Sequence, residues 1–192
     1  IIYTVFNEGW GEFDPDYFYR LIKEKDKTRL VDSASGWYYT KKTDFFSIHA
    51  YDITCRRRKS KEKNQPFFYT EIGGLGYKVE GHSYFEGNFS HYNSKTKEEL
   101  EKKYRRLFEK DIYKAKKEYG LVGTIYTEIA DCEDEYNGIY TFDRSVLKMD
   151  ENLIKDINEH LKKKTEKSIF QAQADAFYEN QGIHFLSSEV GF

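Results

Sequence analysis

Short apolar runs alternate with amphipathic segments along most of the chain, and this alternation limits the fold more than any other feature. The runs are rich in β-branched and aromatic residues, as strands are, and several intervening segments carry apolar residues at helical spacing. Strands that alternate with helices favour parallel β/α units, so the sequence predicts an α/β fold. Predicted strands cover residues 1–6, 29–33, 44–51, 67–70 and 121–129, and predicted helices start at Asp14 and cover 96–119 and 152–164.

A polar or ionisable side chain lies at or next to the carboxyl end of each predicted strand. In parallel α/β folds the active residues gather at these ends, because the strands place them on one rim. An ionised carboxylate at the end of a buried strand also costs free energy unless it is paired, hydrated or used. The sequence therefore predicts a functional rim formed by Glu8, Ser33, His49, Glu71 and Glu128.

Composition excludes several classes of function. Hydrophobic residues make up 39% of the chain and charged residues 33%, without an apolar stretch of membrane-spanning length, so no membrane segment is predicted. The formal net charge of −2 provides no basic field for nucleic acid. The two cysteines, Cys55 and Cys132, are too few for a disulfide framework and lack metal-ligand spacing, so neither a metal nor another cofactor is predicted.

Glu8 and Glu71 are the strongest candidates for chemistry. Two carboxylates on one rim could share a glycosidic bond, one donating a proton while the other attacks the anomeric carbon. In the retaining mechanism the two carboxyl groups stand about 5–5.5 Å apart. Asn7, next to Glu8, could then bind the sugar 2-hydroxyl, a contact that strengthens in the transition state. The alternatives are a solvated loop carboxylate at position 8 and a structural ion pair of Glu71 with Arg105 or Arg106.

Several motifs, in this order along the chain, resemble the catalytic domain of glycoside hydrolase family 2. That family includes β-galactosidases, β-glucuronidases and β-mannosidases, and the resemblance covers roughly residues 1–164. It implies a (β/α)8 TIM barrel, with this chain as an incomplete barrel from about strand four to strand eight. The motifs are FNEGWGEFD, TRLVDSASGW, FSIHAY, FYTEIGGLGY, VEGHSY and GTIYTEIADCEDEYNGIYTFDR.

The resemblance also implies roles for individual residues. The Asn-Glu pair of the family makes Glu8 the acid/base, and its Glu-x-Gly pattern makes Glu71 the nucleophile of a retaining β-glycosidase. Further residues are expected to bind the carbohydrate substrate, although His49 could instead be a core histidine and the tryptophans could serve packing. Glu128 is also a rival for the nucleophile. The predicted substrate-binding residues are Asn7, Trp10, Trp37, His49, Tyr51 and Glu128.

The same resemblance leads to a division of the chain. Residues 1–164 are expected to be the C-terminal part of the catalytic barrel, and residues 165–192 a C-terminal extension with a possible helix at 168–178. Five strands do not close a barrel of eight, so the rest of a parent chain or a second copy is expected to complete it. We therefore expect the isolated chain to hydrolyse aryl β-glycosides poorly. Because the sequence begins inside a predicted strand, we expect the true N-terminus to be missing, so no cellular compartment is predicted.

The sequence limits the range of possible sugar substrates in one respect only. Glucuronidases of the family carry an Asn-x-Lys motif that binds the substrate carboxylate. The corresponding segment here, Glu135-Tyr136-Asn137-Gly138, has no lysine. Glucuronides are therefore disfavoured, and galactosides, mannosides and other neutral glycosides remain. Two alternatives to the glycosidase are a carbohydrate-binding relative that keeps the cleft without the chemistry, and a metallohydrolase. His82 and His91 have no neighbours with metal-ligand spacing, which argues against the latter.

Overall fold

The computed structural model describes residues 2–38, 40–51, 65–84 and 92–163. Within these residues five strands are interspersed with helical segments, and the helical residues 97–119 run without interruption through one π-helical turn. The elements are β1 (Ile2–Asn7), α1 (Pro15–Lys25), β2 (Leu30–Ser35), β3 (Phe46–Ala50), β4 (Phe67–Gly73), α2 (Lys97–Arg106), the π turn (Leu107–Ile112), α3 (Tyr113–Tyr119), β5 (Leu121–Thr127) and α4 (Glu151–Lys162).

The helices begin and end at residues whose chemistry suits those positions. Asp14 accepts a hydrogen bond from the backbone N–H of Tyr17, with Pro15 in the first turn of α1. Thr96 caps α2 in the same way, accepting from the N–H of Glu99. Gly120 ends α3 with φ 69°, a left-handed conformation that glycine adopts without steric cost. Local sequence thus determines where each helix starts or stops.

All five strands pair in parallel, but they form two sheets. β1 pairs with β2, with Asn7 opposite Ser35 at the carboxyl end. β3, β4 and β5 form the second sheet, in which His49 lies opposite Glu71. Parallel pairing places the carboxyl ends of paired strands side by side, so each sheet presents one polar rim.

The two sheets meet where β2 runs beside β3. The Asp44 N–H donates to the carbonyl of Val31 at 3.0 Å, just before β3 begins. Farther along, the contact depends on side chains, because the Ser47 hydroxyl donates to a carboxylate oxygen of Asp32 at 3.1 Å. Within the described residues no backbone ladder joins β2 to β3. Polar side chains, one backbone hydrogen bond and a small apolar cluster around Leu30 and Phe45 therefore hold the two sheets together.

The main apolar core covers one face of the three-stranded sheet. Residues of α2, the π turn, α3 and α4 pack there against alternate residues of β3 and β4. Burial of these side chains provides the principal stabilisation of the sheet. Its least exposed members include Tyr69, Ile72, Leu75, Leu100, Tyr104, Leu107, Ile112, Ala115 and Met149.

The expectation of a (β/α)8 TIM barrel, complete or incomplete, is wrong. The described residues form an α/β fold of two small parallel sheets, with two and three strands, and these do not continue into one another as a barrel sheet would. The reason lies at the β2–β3 contact, where serine and aspartate side chains replace the ladder that barrel closure needs. The predicted poor activity of the isolated chain depended on that barrel and has lost this support.

Two further predictions concern residues outside the described ranges. The predicted extension at 165–192, with its possible helix at 168–178, lies outside them, as does Cys55. None of the described helices has the length and apolar character needed to cross a bilayer.

Replacing Leu100 by alanine tests the core. Leu100 is 0% exposed and faces the sheet from α2. We expect Leu100→Ala to lower the free energy of unfolding by about 2–5 kcal/mol, because the truncated side chain leaves a cavity. Urea denaturation would measure the loss, with the exposed Lys102→Ala on the same helix as the control, expected within about 0.5 kcal/mol of wild type. Equal stability of Leu100→Ala and Lys102→Ala would contradict this packing.

Candidate active site

Strand ends from both sheets bring Glu8, His49 and Glu71 together. Glu8 follows the last residue of β1, and its N–H donates to the carbonyl of Ser35 at the end of β2, at 2.8 Å. His49 and Glu71 are opposite each other on β3 and β4. Glu8 also has φ 56°, a left-handed conformation that is uncommon outside glycine. Such strained positions cluster at functional sites, so the backbone at Glu8 supports a functional role.

The distances show that His49 bridges the two carboxylates. Its Nδ1 lies 2.7 Å from Oε1 of Glu8, and its Nε2 lies 3.6 Å from Oε1 of Glu71. One oxygen from each glutamate and one ring nitrogen all lie within 4.8 Å of one another. The His49 side chain is fully buried, whereas the glutamate side chains are 23% and 24% exposed. A substrate can therefore reach both carboxylates while the imidazole stays behind them.

Tyr51 and a glycine complete the immediate surroundings of this group. The Tyr51 hydroxyl donates to Oε2 of Glu71. Burial and this hydrogen bond to Glu71 raise the pKa of Tyr51, so its hydroxyl keeps the proton it donates. Gly36, with φ 105°, lies against the imidazole, since a Cβ there would stand 3.0 Å from Nδ1 of His49. Glycine is therefore required for β2 to come this close to His49.

Two hydroxyl groups at the rim were missed in the sequence. The Ser35 Oγ lies 2.9 Å from Nε2 of His49 and donates to Oγ1 of Thr70 at 2.8 Å. Sequence reasoning placed the end of β2 at Ser33, but the strand continues to Ser35. The Ser33 hydroxyl instead donates to the carbonyl of Lys42. The glycine after Ser35 was the available signal for the true strand end.

The remaining predicted substrate-binding residues differ in how close they come to this group. Trp37 is 49% exposed and packs edge-on against His49, with ring centroids 5.7 Å apart. Asn7 is exposed at the end of β1. Trp10 is 83% exposed in the turn after Glu8. The structure therefore joins Trp37 to the site, while Asn7 and Trp10 border it in sequence without a contact to its carboxylates among the described interactions.

Glu128 occupies a separate position after β5. Burial, followed by the charges of Glu135 and Asp131, raises its pKa to about 7, and the charge of Lys148 opposes the shift. Its Oε1 is buried without a hydrogen-bond partner among the described residues. Glu128 is not part of the Glu8–His49–Glu71 group.

A buried ion pair holds the segment that carries Glu128. The Lys148 ammonium group donates to Oδ1 of Asp131 at 2.5 Å and to the carbonyls of Tyr77 and Tyr136, and its side chain is 0% exposed. Asp131 also accepts from the N–H of Gly138 at 2.8 Å. Neither member of this pair was predicted, because nothing in local sequence distinguishes this lysine from the many at the surface.

Glu135 is a further carboxylate that sequence reasoning assigned no role at the rim. It accepts a hydrogen bond from Nδ2 of Asn137 at 2.9 Å. Its charge is one of those that raise the pKa of Tyr51, after those of Glu71 and Glu8. Glu8, Glu71 and Glu135 therefore all contribute negative charge around Tyr51.

The alternatives to a functional site can be compared with the contacts. Among the described residues neither Arg105 nor Arg106 forms an ion pair with Glu71, and Arg105 lies 3.5 Å from Glu109 instead. His82 lies 2.9 Å from a carboxylate oxygen of Asp143, while His91 is outside the described residues. The donor atoms of Glu8, His49 and Glu71 are nevertheless of the kind that bind divalent cations, a set that sequence spacing did not reveal.

Comparison with known proteins assigns no family to this chain. No protein-family model matches it, and no curated protein matches it either. Statements about its function therefore depend on the chemistry of the residues at this rim.

The pKa of Glu128 predicts a pH-dependent stability. Because its pKa of about 7 in the folded state lies above the ordinary value of 4.5, the native state holds a proton that the unfolded state releases, and stability falls as pH rises from about 4.5 to 7. Glu128→Gln should remove this loss. Relative to wild type, its free energy of unfolding should rise by about 1 kcal/mol between pH 4.5 and pH 7, less than the whole pKa shift implies because the group is only partly buried.

Urea denaturation at both pH values measures the effect. The exposed Glu133→Gln in the same loop is the control and should follow wild type. A Glu128→Gln variant whose stability follows that of wild type over this range would contradict the burial assigned to Glu128.

Proposed function

We propose that this chain carries the catalytic pair of a retaining β-glycosidase, with Glu8 as acid/base and Glu71 as nucleophile. The observation that carries the proposal is the convergence of the two carboxylates around His49, with donor atoms within 4.8 Å. Retaining enzymes hold their carboxyl groups about 5–5.5 Å apart, whereas inverting enzymes leave about 6.5–9.5 Å for a water molecule. One oxygen of each glutamate lies within 4.8 Å of the other, which supports direct attack by one carboxylate over an intervening water molecule.

The reaction proceeds in two balanced steps. In the first, a carboxylate oxygen of Glu71 forms a bond to the anomeric carbon, the glycosidic C–O bond breaks, and the proton of Glu8 moves to the leaving oxygen. In the second, Glu8 takes a proton from water, the water oxygen attacks the anomeric carbon, and Glu71 leaves as a carboxylate. Each residue returns to its starting state after one turnover.

The neighbours of the pair suit these roles. A carboxylate only accepts hydrogen bonds, so the 2.7 Å contact makes Nδ1 of His49 a donor that orients Glu8. The Tyr51 hydroxyl orients Glu71 from the other side. His49 can thus donate to Glu8 in the second step, when Glu8 is the carboxylate that acts as base, and Tyr51 can donate to the Glu71 carboxylate that attacks in the first.

The acidity of the rim favours neutral glycosides. Among the described residues, His49 and Tyr51 contact the pair and the hydroxyls of Ser35 and Thr70 lie behind His49, with no lysine or arginine among them. Glu135 adds further negative charge, and Lys148 is fully buried against Asp131. A uronide carboxylate would meet repulsion here. This agrees with the absence of the Asn-x-Lys motif and with the motif resemblance to glycoside hydrolase family 2.

A metallohydrolase is the second candidate, and one observation favours it. Two carboxylates and an imidazole converge, as the ligands of a divalent cation do. The direct His49–Glu8 hydrogen bond, however, gives the donor set a stable arrangement without a cation. A carbohydrate-binding protein without chemistry is the third candidate, although binding alone does not require two glutamates this close.

Covalent labelling of the full-length protein tests the proposal. A panel of activated 2-deoxy-2-fluoro glycosides should trap the glycosyl ester on the peptide that contains Glu71, measured by mass spectrometry. Glu71→Gln should abolish the label and lower kcat by at least about 10³-fold, as loss of a nucleophile does. Glu128→Gln is the matched control and should still be labelled.

Glu8→Gln separates the acid/base role from simple binding. We expect kcat to fall strongly for glycosides with poor leaving groups but little in the first step for dinitrophenyl glycosides, because a good leaving group needs no proton. Chelating agents should not change either rate. Loss of activity on chelation would favour the metallohydrolase, and no labelling by any sugar would favour the binding protein.

A further inference from the structure

Asp32 is a buried carboxylate for which the two catalytic steps have no use. It lies in the middle of β2, where every residue is buried, and is 1% exposed. Within the described residues no lysine or arginine forms an ion pair with it, and its Oδ2 is buried without a hydrogen-bond partner. A buried carboxylate without a cation costs several kcal/mol relative to an apolar or amide side chain.

The position of Asp32 connects it to His49. Its Oδ1 accepts from the hydroxyl of Ser47, which precedes His49 by two residues and lies on the same face of β3. Ser35 makes the next contact along β2, with its Oγ 2.9 Å from Nε2 of His49. Among the described residues no backbone ladder joins β2 to β3, so these two side-chain contacts help to hold β2 beside the strand that presents His49 to Glu8.

The electrostatics support the same connection. Burial raises the pKa of Asp32 to about 6, while the nearby hydroxyls of Ser47 and Ser35 and the charge of His49 act in the opposite direction. Asp32 thus interacts electrostatically with the imidazole that bridges Glu8 and Glu71. An asparagine would supply the same hydrogen-bond acceptor at lower cost, so a structural contact alone does not explain a carboxylate here.

We propose that Asp32 is a positioning residue whose negative charge, acting across Ser47 and Ser35, fixes the ring of His49 and thereby the carboxylate of Glu8. The proposal rests on the proposed function for its catalytic consequence, but the connection between Asp32 and His49 exists independently of it. Asp32 touches neither the substrate nor the reacting atoms.

NMR of the His49 ring in the full-length protein tests the connection without requiring catalysis. The chain has five histidines, so His49→Gln identifies the signals of His49. In wild type the ring nitrogen shifts should include a step near pH 6, where Asp32 titrates. Asp32→Asn should remove this step and move the signals. Ser47→Ala, which cuts the contact but keeps the charge, should move the signals as well.

Asp44→Asn is the matched control. Asp44 is also a carboxylate that binds β2, through the N–H of Val31 at 2.7 Å, but it pairs with Lys23 and lies away from the rim. We expect Asp44→Asn to lose stability and leave the His49 signals unchanged, and Asp32→Asn to keep or gain stability. Signals of His49 identical to wild type in both Asp32→Asn and Ser47→Ala, at all pH values, would overturn the proposal.

Steady-state kinetics test the catalytic consequence of the proposal. Asp32→Asn should lower kcat about tenfold or more with KM within about twofold, because misplaced catalytic groups slow the chemistry rather than binding. His49 on β3, Glu71 on β4 and Glu8 beyond β1 are the same in both proteins, so the ratio of the wild-type kcat to the Asp32→Asn kcat isolates Asp32. This ratio should shrink as pH falls through about 6. A changed His49 spectrum with no labelling of Glu71 would retain the connection and refute the glycosidase.

Discussion

The hydrogen bond between Nδ1 of His49 and Oε1 of Glu8 is the interaction on which the site depends. At 2.7 Å it joins a residue after β1 to a residue of β3, and therefore joins the two sheets at their common rim. The sheets also meet through an apolar cluster at the opposite ends of the strands, in which Ile2 and Leu30 pack with Phe68 and Val122. Because Glu71 lies opposite His49 on β4, this one bond also sets the distance between the two carboxylates. The same contact thus joins the two sheets and sets the geometry of the candidate site.

The site combines groups that are costly to bury. His49 and Asp32 are almost completely inside, and two glutamates stand beside them, partly exposed. Hydrogen bonds with Ser35, Ser47 and Tyr51 offset part of the cost, since a buried polar group is destabilising mainly when it lacks a partner. The apolar core between the helices and the second sheet provides the stability that the polar rim lacks. This division, with packing on one side and chemistry at the strand ends, is common to parallel α/β folds.

The sequence predicted the strands and the residues at their ends because both depend on local pattern. Glu8, His49 and Glu71 follow or end apolar runs. Parallel pairing brings His49 and Glu71 side by side, and the side-chain hydrogen bond of His49 adds Glu8 from the other sheet. Closure of a barrel is a long-range property that periodicity does not encode, so the motif resemblance led to the wrong architecture at the β2–β3 contact. Asp32 and Lys148 were missed for a related reason. Their roles come from partners distant in the chain, such as Ser47 and Asp131.

The stereochemistry of hydrolysis tests the central claim most directly, because the separation of two catalytic carboxylates determines whether the anomeric configuration is retained. With a β-glycoside that the full-length protein hydrolyses, ¹H NMR during the first minutes would identify the anomer released before mutarotation. Glu8 and Glu71 at the separation found here predict that the β anomer appears first. Initial release of the α anomer would require a water molecule between the carboxylates and would contradict the account.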